Sequence, residues 1–205
     1  MNFLDLVRKV DELSLIQGQV DSVTPTSGFQ TSMVGAVQRA NIDLHLFRKD
    51  WLFNYTTIEV PLRPLVNSYT PSGIRYWEGV YHENRVLREV GYHTYLINDW
   101  TENPSKPCMY TKAPDKTLIF NTSNDNYIVK AHGYLLPDSL TSNTDIPRIP
   151  SEYHLLIVYK ALEILGSSVY LGNLIEQYMK SYDEMLGQMM RDYLPSRSTK
   201  RRPLV

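Results

Sequence analysis

Five histidines, one cysteine and several neighbouring acids are the side chains of this 205-residue chain that could ligate a metal or move a proton. Their spacing serves neither chemistry. His45, His82, His93, His132 and His154 stand apart, and none has the i, i+4 partner that puts two imidazoles on one helix face for zinc. His154 follows Tyr153 at the start of an apolar helix, where it reads as a hydrogen-bonded residue and not a base. Cys108 lies in an extended segment, away from the helix starts that depress a thiol pKa, and reads as structural. Asp183 and Glu184 fall on a helix face open to water. No GxGxxG or GxxxxGK[ST] loop is present to cradle phosphate. The expectation is a protein that is not an enzyme and that uses no cofactor and no metal.

One group of residues keeps a chemistry of its own. Ser196–Val205 holds Arg197, Lys200, Arg201 and Arg202 without a single acid, then ends in Pro203-Leu204-Val205. Such a segment cannot pack by itself. Beside many tyrosines it could hold phosphates and stack bases, so nucleic-acid binding is one reading. Against it, the formal net charge of the whole chain is −1, whereas a nucleic-acid footprint is strongly basic.

The elements that carry these residues follow from periodicity. Asn2–Leu15 places Phe3, Leu6, Val7, Val10 and Leu13 on one stripe, with Asn2 as cap. A second helix is predicted from Phe29 or Gln30 to about Asp50, with Met33, Val37, Ala40, Leu44 and Phe47 inward and Trp51 and Phe53 sealing its end. From Tyr55 the pattern becomes β-branched and alternating. Tyr76–Tyr81, Arg85–Glu89, Thr94–Ile97 and Pro107–Lys112 read as strands or extended pieces. Ala113-Pro114-Asp115-Lys116 has turn chemistry, and Thr117–Asn121 with Tyr127–Leu135 reads as a hairpin. A Pro-punctuated linker then enters a helix whose Leu155, Leu156, Ile157, Val158, Tyr159, Ala161, Leu162, Ile164 and Leu165 leave only Lys160 and Glu163 for water. A helix apolar all round has to be enclosed. The last helix, about Tyr170–Tyr193, carries Tyr178, Tyr182, Met185 and Met189 on one seam, widened by Met190 and others.

That seam has two readings: it is internal to the bundle, or Tyr178, Tyr182, Met185, Met189, Met190 and Tyr193 meet a neighbouring subunit. Met adapts to irregular surfaces and Tyr keeps a polar tip for a wet rim. The 15 tyrosines against 5 phenylalanines point the same way, towards half-wet surfaces. The single cysteine closes no intrachain disulfide, and Met1–Leu15 lacks a signal-peptide layout, so synthesis in the cytoplasm is expected. No run is long and apolar enough for a membrane span.

The order helix–helix, β-rich block, helix–helix, basic tail resembles the head-to-tail adaptor (neck or connector) proteins of tailed bacteriophages. The strings that carry the resemblance are spread along the chain: Met1–Val10, Asp50-Trp51-Leu52-Phe53, Lys106-Pro107, Ala113–Leu118 and Thr144-Asp145-Ile146-Pro147. The most specific is Ile149-Pro150-Ser151-Glu152-Tyr153-His154 running into Ile157–Leu162. The resemblance implies a virion protein of the neck, assembled in the host cytoplasm. It would form a ring, usually of twelve copies, that docks under the portal protein and receives a tail or nozzle protein, with double-stranded DNA passing through its channel. On that reading Arg197, Lys200, Arg201, Arg202, Leu204 and Val205 would bind the portal. Another tail-completion ring of the virion is the neighbouring alternative. The expected fold is α+β: a helical bundle from 1–53 and 148–194, an inserted β-rich domain at 54–147, and an extended C-terminal arm at 195–205.

Overall fold

The computed structural model describes residues 1–14, 20–24, 28–98, 100, 105–166 and 172–195. Within them the chain is α+β, with helices towards both ends and strands between. Its contacts divide it into two compact units, Met1–Phe53 with Pro137–Val205, and Asn54–Leu136.

The first unit is helical. Helix α1, Phe3–Ser14, starts with a reciprocal cap: the Asn2 side chain accepts from the Asp5 N–H at 2.8 Å, and the Asp5 carboxylate accepts from the Asn2 N–H at 3.0 Å. Its stripe of Phe3, Leu6, Val7 and Val10 is fully buried. Helix α2, Gly28–Phe47, turns Met33, Val37, Ala40 and Leu44 inward. Phe47 departs from the expected pattern, being 51% exposed. The helix stops there, and the returning chain puts Trp51 into the core in its place, fully buried, with its indole N–H donating to the Leu44 carbonyl at 2.9 Å. Phe53 stacks on Trp51 at 5.3 Å, so this pair closes the helix end as the sequence suggested.

The apolar helix is α4, His154–Gly166, entered through Pro150 and a single 3₁₀ turn, Ser151–Tyr153. Leu156, Ile157, Val158, Ala161 and Leu162 are essentially inaccessible to water. It packs against α1, α2 and the last helix α5, Gly172–Tyr193, and is the centre of the unit.

The segment 137–147, expected with the β-rich part, belongs to the bundle instead. Its polar groups find their partners there. The Phe3 N–H donates to the Asp145 carbonyl at 2.7 Å, Gln38 donates to the Leu140 carbonyl at 2.8 Å, and Leu140 itself is buried among the helices. Asp138 is the tightest tie. Its carboxylate lies 2.5 Å from Nε2 of the fully buried His45 and accepts from the Arg148 N–H at 2.9 Å, while Asn41 donates to its carbonyl. Burial by itself would raise this carboxyl. The hydrogen bond and charge of His45, with the Arg148 and Asn41 donors, override burial and hold it far below the usual range.

The second unit holds two four-stranded sheets. One orders β1 (Tyr55–Leu62), β8 (Tyr127–Leu135), β3 (Ile74–His82) and β4 (Arg85–Val86), all antiparallel. Pro61 is tolerated because β1 is an edge strand. Glu83 and Asn84, both at positive φ, form the two-residue turn from β3 to β4. The other sheet orders β2 (Ser68–Tyr69), β7 (Leu118–Phe120), β6 (Met109–Lys112) and β5 (Arg88–Glu89), with β5 and β6 parallel. The turn 113–116 joins β6 to β7 as expected, with Lys116 at φ 75° and the Asp115 carboxylate accepting from the Thr117 N–H.

Two expectations fail here. β7 and β8 are not the arms of a hairpin, since each belongs to a different sheet. The chain between them turns inward: Asn121 accepts from the N–H groups of Cys108 and Met109, and the Ser123 hydroxyl donates to the Arg63 carbonyl. These bonds satisfy a polar crossover that a hairpin would have left to solvent. Thr94–Ile97, read as extended, lies in the short helix α3, Tyr92–Ile97. Tyr92 and Tyr95 stack one turn apart, and Asn98 ends the helix by donating to the Thr94 carbonyl at 2.7 Å.

Trp77 joins the two sheets. It is buried, its indole N–H donates to the Lys116 carbonyl at 2.8 Å, and it faces Gly133 across the β3–β8 pair. A Cβ on Gly133 would lie 2.8 Å from the Tyr76 carbonyl oxygen and 2.9 Å from the Trp77 ring.

Three outcomes follow. Trp51→Phe should keep the fold and lose about 1–3 kcal/mol, from the orphaned Leu44 carbonyl and lost volume, in a urea denaturation series. Gly133→Ala should cost about 1–3 kcal/mol through a forced backbone shift at Trp77, seen as a changed near-UV CD band. For Asp138 the folded-state pKa is depressed, so its stabilisation is present above the unfolded carboxylate value and is lost as pH falls through the acid range. Asp138→Asn should therefore destabilise by about 2 kcal/mol or more near pH 7, with a smaller difference from wild type below about pH 4, in denaturation midpoints across pH.

Candidate docking surfaces

The histidines take five separate environments. His45 is held by Asp138 as above, and His154 is buried, its Nε2 2.9 Å from the Ile149 carbonyl oxygen. Burial, and then the neighbouring N-terminal charge, lowers the pKa of His154, as suits a structural imidazole. His82 lies at the end of β3, His93 is exposed in α3, and His132 sits on β8. Among the described residues no three His, Cys, Asp or Glu side chains gather as metal ligands. Cys108 is exposed just before β6 and contributes nothing to the core.

The wide seam of α5 is largely taken up by its own bundle. Met189 is fully buried, and Tyr182 and Leu186 are nearly so. Tyr178 lies flat on Tyr159 at 5.8 Å. Tyr193 donates its hydroxyl to Glu152 at 2.8 Å and stands edge-on to Phe53 and Tyr153. Met185 and Met190 are half-buried against the same core. Of the six residues read as subunit contacts, Met189 and Tyr182 are thus inside the unit, and the other four present only outer edges. The six tail residues, Arg197, Lys200, Arg201, Arg202, Leu204 and Val205, lie outside the described residues.

A surface not singled out in the sequence lies along the last turns of α2. Ile42, Leu46 and Phe47 are 39%, 47% and 51% exposed, and Leu46 and Phe47 border a groove of about 600 Å³ between α2, α4 and α5. Met179, Tyr182 and Leu186 supply its apolar floor. Its rim is acidic. Asp43, Glu163 and Asp183 line it with Lys160, which pairs with Glu163 at 2.5 Å, while Arg39 pairs with Asp43 at 3.6 Å. The Tyr182 hydroxyl registers that field: burial first, then Glu163, Asp183 and Asp43, push its pKa up to about 12. The i, i+4 spacing of Ile42 and Leu46 was visible in the sequence. It was hidden by Phe47, which looked like a further inward position.

The β unit has its own half-wet face. Alternation on β8 sends Val129, Ala131 and Gly133 to the core and leaves Ile128, Lys130 and His132 on the opposite side, with Ile128 59% exposed. Thr57, Glu59 and Pro61 of β1 stand opposite His132, Lys130 and Ile128. The Tyr55 hydroxyl shares a hydrogen bond with His132 Nδ1 at 2.5 Å, the Tyr81 ring meets His132 edge-on at 4.6 Å, and Tyr76 stacks on Tyr134 at 4.7 Å. Burial, then Glu78 and Tyr81, raises the Tyr55 pKa, so the phenol stays protonated and can donate. A rigid row of aromatic rings with polar tips is the composition of contact surfaces that must bind yet remain soluble alone.

No helix among the described residues is long and apolar enough to cross a membrane. No curated protein matches the chain. A family model described as SU10 adaptor protein matches residues 1–204. With two compact units, surfaces suited to docking and a match that runs the length of the chain, the protein belongs to the SU10 adaptor protein family, a family of phage head-to-tail adaptors.

Proposed function

We propose that this adaptor acts as a ring of identical subunits at the virion neck, joining portal to tail and keeping a conduit open for double-stranded DNA. The family match over residues 1–204 carries the reading. The work is mechanical, done by surfaces and not by a catalytic centre. In this reading the outer edges of Tyr178, Met185, Met190 and Tyr193 on α5 meet a neighbouring subunit, and the aromatic face of the β unit is a second contact. The subunit number is taken as twelve, from the resemblance.

Arg197, Lys200, Arg201 and Arg202, with Leu204 and Val205, form the arm that grips the portal. One exposed ion pair is worth only about 0.2–1 kcal/mol. A ring repeats the contact, and linked weak contacts add by avidity to a firm attachment. A lumen that passes DNA is better kept free of a sticky cationic lining, so the arm belongs on the outside. Binding of nucleic acid by the same cations is the competing reading.

Deleting Ser196–Val205 should leave the far-UV CD spectrum of the chain unchanged and abolish its co-sedimentation with portal particles. Undiminished co-sedimentation removes the arm from the proposal. Sizing the full chain alone, with portal and with duplex DNA separates the two readings, because only the true partner should change its oligomeric state.

A further inference from the structure

The groove between α2, α4 and α5 pairs an apolar floor with an acidic rim. Leu46 and Phe47 are half-exposed, and Met179 lies beside them. Of the rim carboxylates, Asp43 pairs with Arg39 at 3.6 Å and Glu163 with Lys160 at 2.5 Å, whereas Asp183 makes no ion pair among the described residues. Tyr182, whose pKa is raised first by burial and then by these same three acids, lies among them in the groove floor. A segment that is cationic and apolar together fits such a groove.

The chain carries one such segment. Residues 196–205 hold four cations and no acid, followed by Pro203-Leu204-Val205. Its point of departure is favourable too. Leu194 and Pro195, at the end of α5, lie beside Arg48 and Asp50, which continue directly from the groove-lining turn of α2. The chain leaving the groove-lining turn of α2 thus passes beside the place where the segment begins. Measured back along α5 from Pro195 at 1.5 Å per residue, Asp183 is about 18 Å away and Met179 about 24 Å. An extended strand advancing about 3.3 Å per residue brings Arg201 about 20 Å from Pro195 and Leu204 about 30 Å, enough for both with slack.

The geometry points to residues 196–205 folding back along α5 to occupy the α2–α4–α5 groove of their own chain, with Arg201 and Arg202 against Asp183 and Leu204 over Leu46, Phe47 and Met179. The segment covers the apolar ridge of the unassembled subunit and is released, together with the groove, when a partner captures it. This concerns the chain before any partner is present, and stands whether or not the segment later meets a portal.

Photo-crosslinking of the full chain tests it. With Leu204→benzoylphenylalanine at low micromolar concentration, adducts mapped by mass spectrometry should fall within one chain, at Met179 and at Leu46 or Phe47. Asp183→Lys should lower their yield by about threefold to fivefold, the factor expected for one surface ion pair. Arg201→Glu with Arg202→Glu should lower it similarly, and combining these changes with Asp183→Lys should restore it. Added salt should also reduce the yield. The inference is overturned if no groove adduct forms, if adducts join two chains only, or if the yield ignores all of these charge changes.

Discussion

A helix without a polar side can persist in water only where other elements cover every side of it, and α4 sets that requirement for the bundle. Its Leu156, Ile157, Val158, Ala161 and Leu162 are covered by α1 and α2, contributed from the start of the chain, and by α5, which follows it. Neither end of the chain can form this core alone. Much of the polar detail in the unit serves that union: the Asn2–Asp5 cap starts α1, the Phe3 N–H takes the Asp145 carbonyl, and His45 and Asn41 hold Asp138. These bonds lock the entry to α4 against helices more than ninety residues earlier in the chain.

The β unit solves a different problem, because its two sheets share one small core. Trp77 does most of the joining, close against Gly133 and hydrogen-bonded to the turn after β6. With the core thus filled, the opposite side of the longer sheet is left to Tyr55, Tyr81 and His132. The Tyr55 hydroxyl and a His132 ring nitrogen satisfy one another locally. The tyrosine excess in the composition is explained in part by this face and in part by the rim of the bundle, where Tyr153 and Tyr193 bond to acids.

Helix positions were legible in the sequence where one residue type decides the outcome. The apolar run of α4, the Asn2 cap and the Trp51-Leu52-Phe53 closure all stand within a few residues of where periodicity put them. The failures share a cause: partners far away in the chain. Thr117–Asn121 and Tyr127–Leu135 have hairpin spacing, yet the buried hydrogen bonds of Asn121 and Ser123 send them to different sheets. Phe47 continues a helical stripe on paper, but Trp51, four residues on, already occupies the inward place. The Met and Tyr seam of α5 was correctly seen as wider than one stripe. Whether such a seam faces its own bundle or another molecule depends on what packs beside it, which spacing alone does not encode. The acidic groove was invisible for the same reason, since Asp43, Glu163 and Asp183 come from three separate helices.

The interruption of the bundle by the β unit also bears on how the protein is born. The β unit is contiguous, from Asn54 to Leu136, and can fold on the ribosome once it has emerged. α1 and α2 are made first but must wait for α4, roughly 100 residues behind α2, which at about 5–20 residues per second means about 5–20 s of translation with an uncovered apolar stripe. During that interval the nascent chain has no completed bundle. Chain order therefore acts as a timer, deferring completion of the bundle until translation is nearly done.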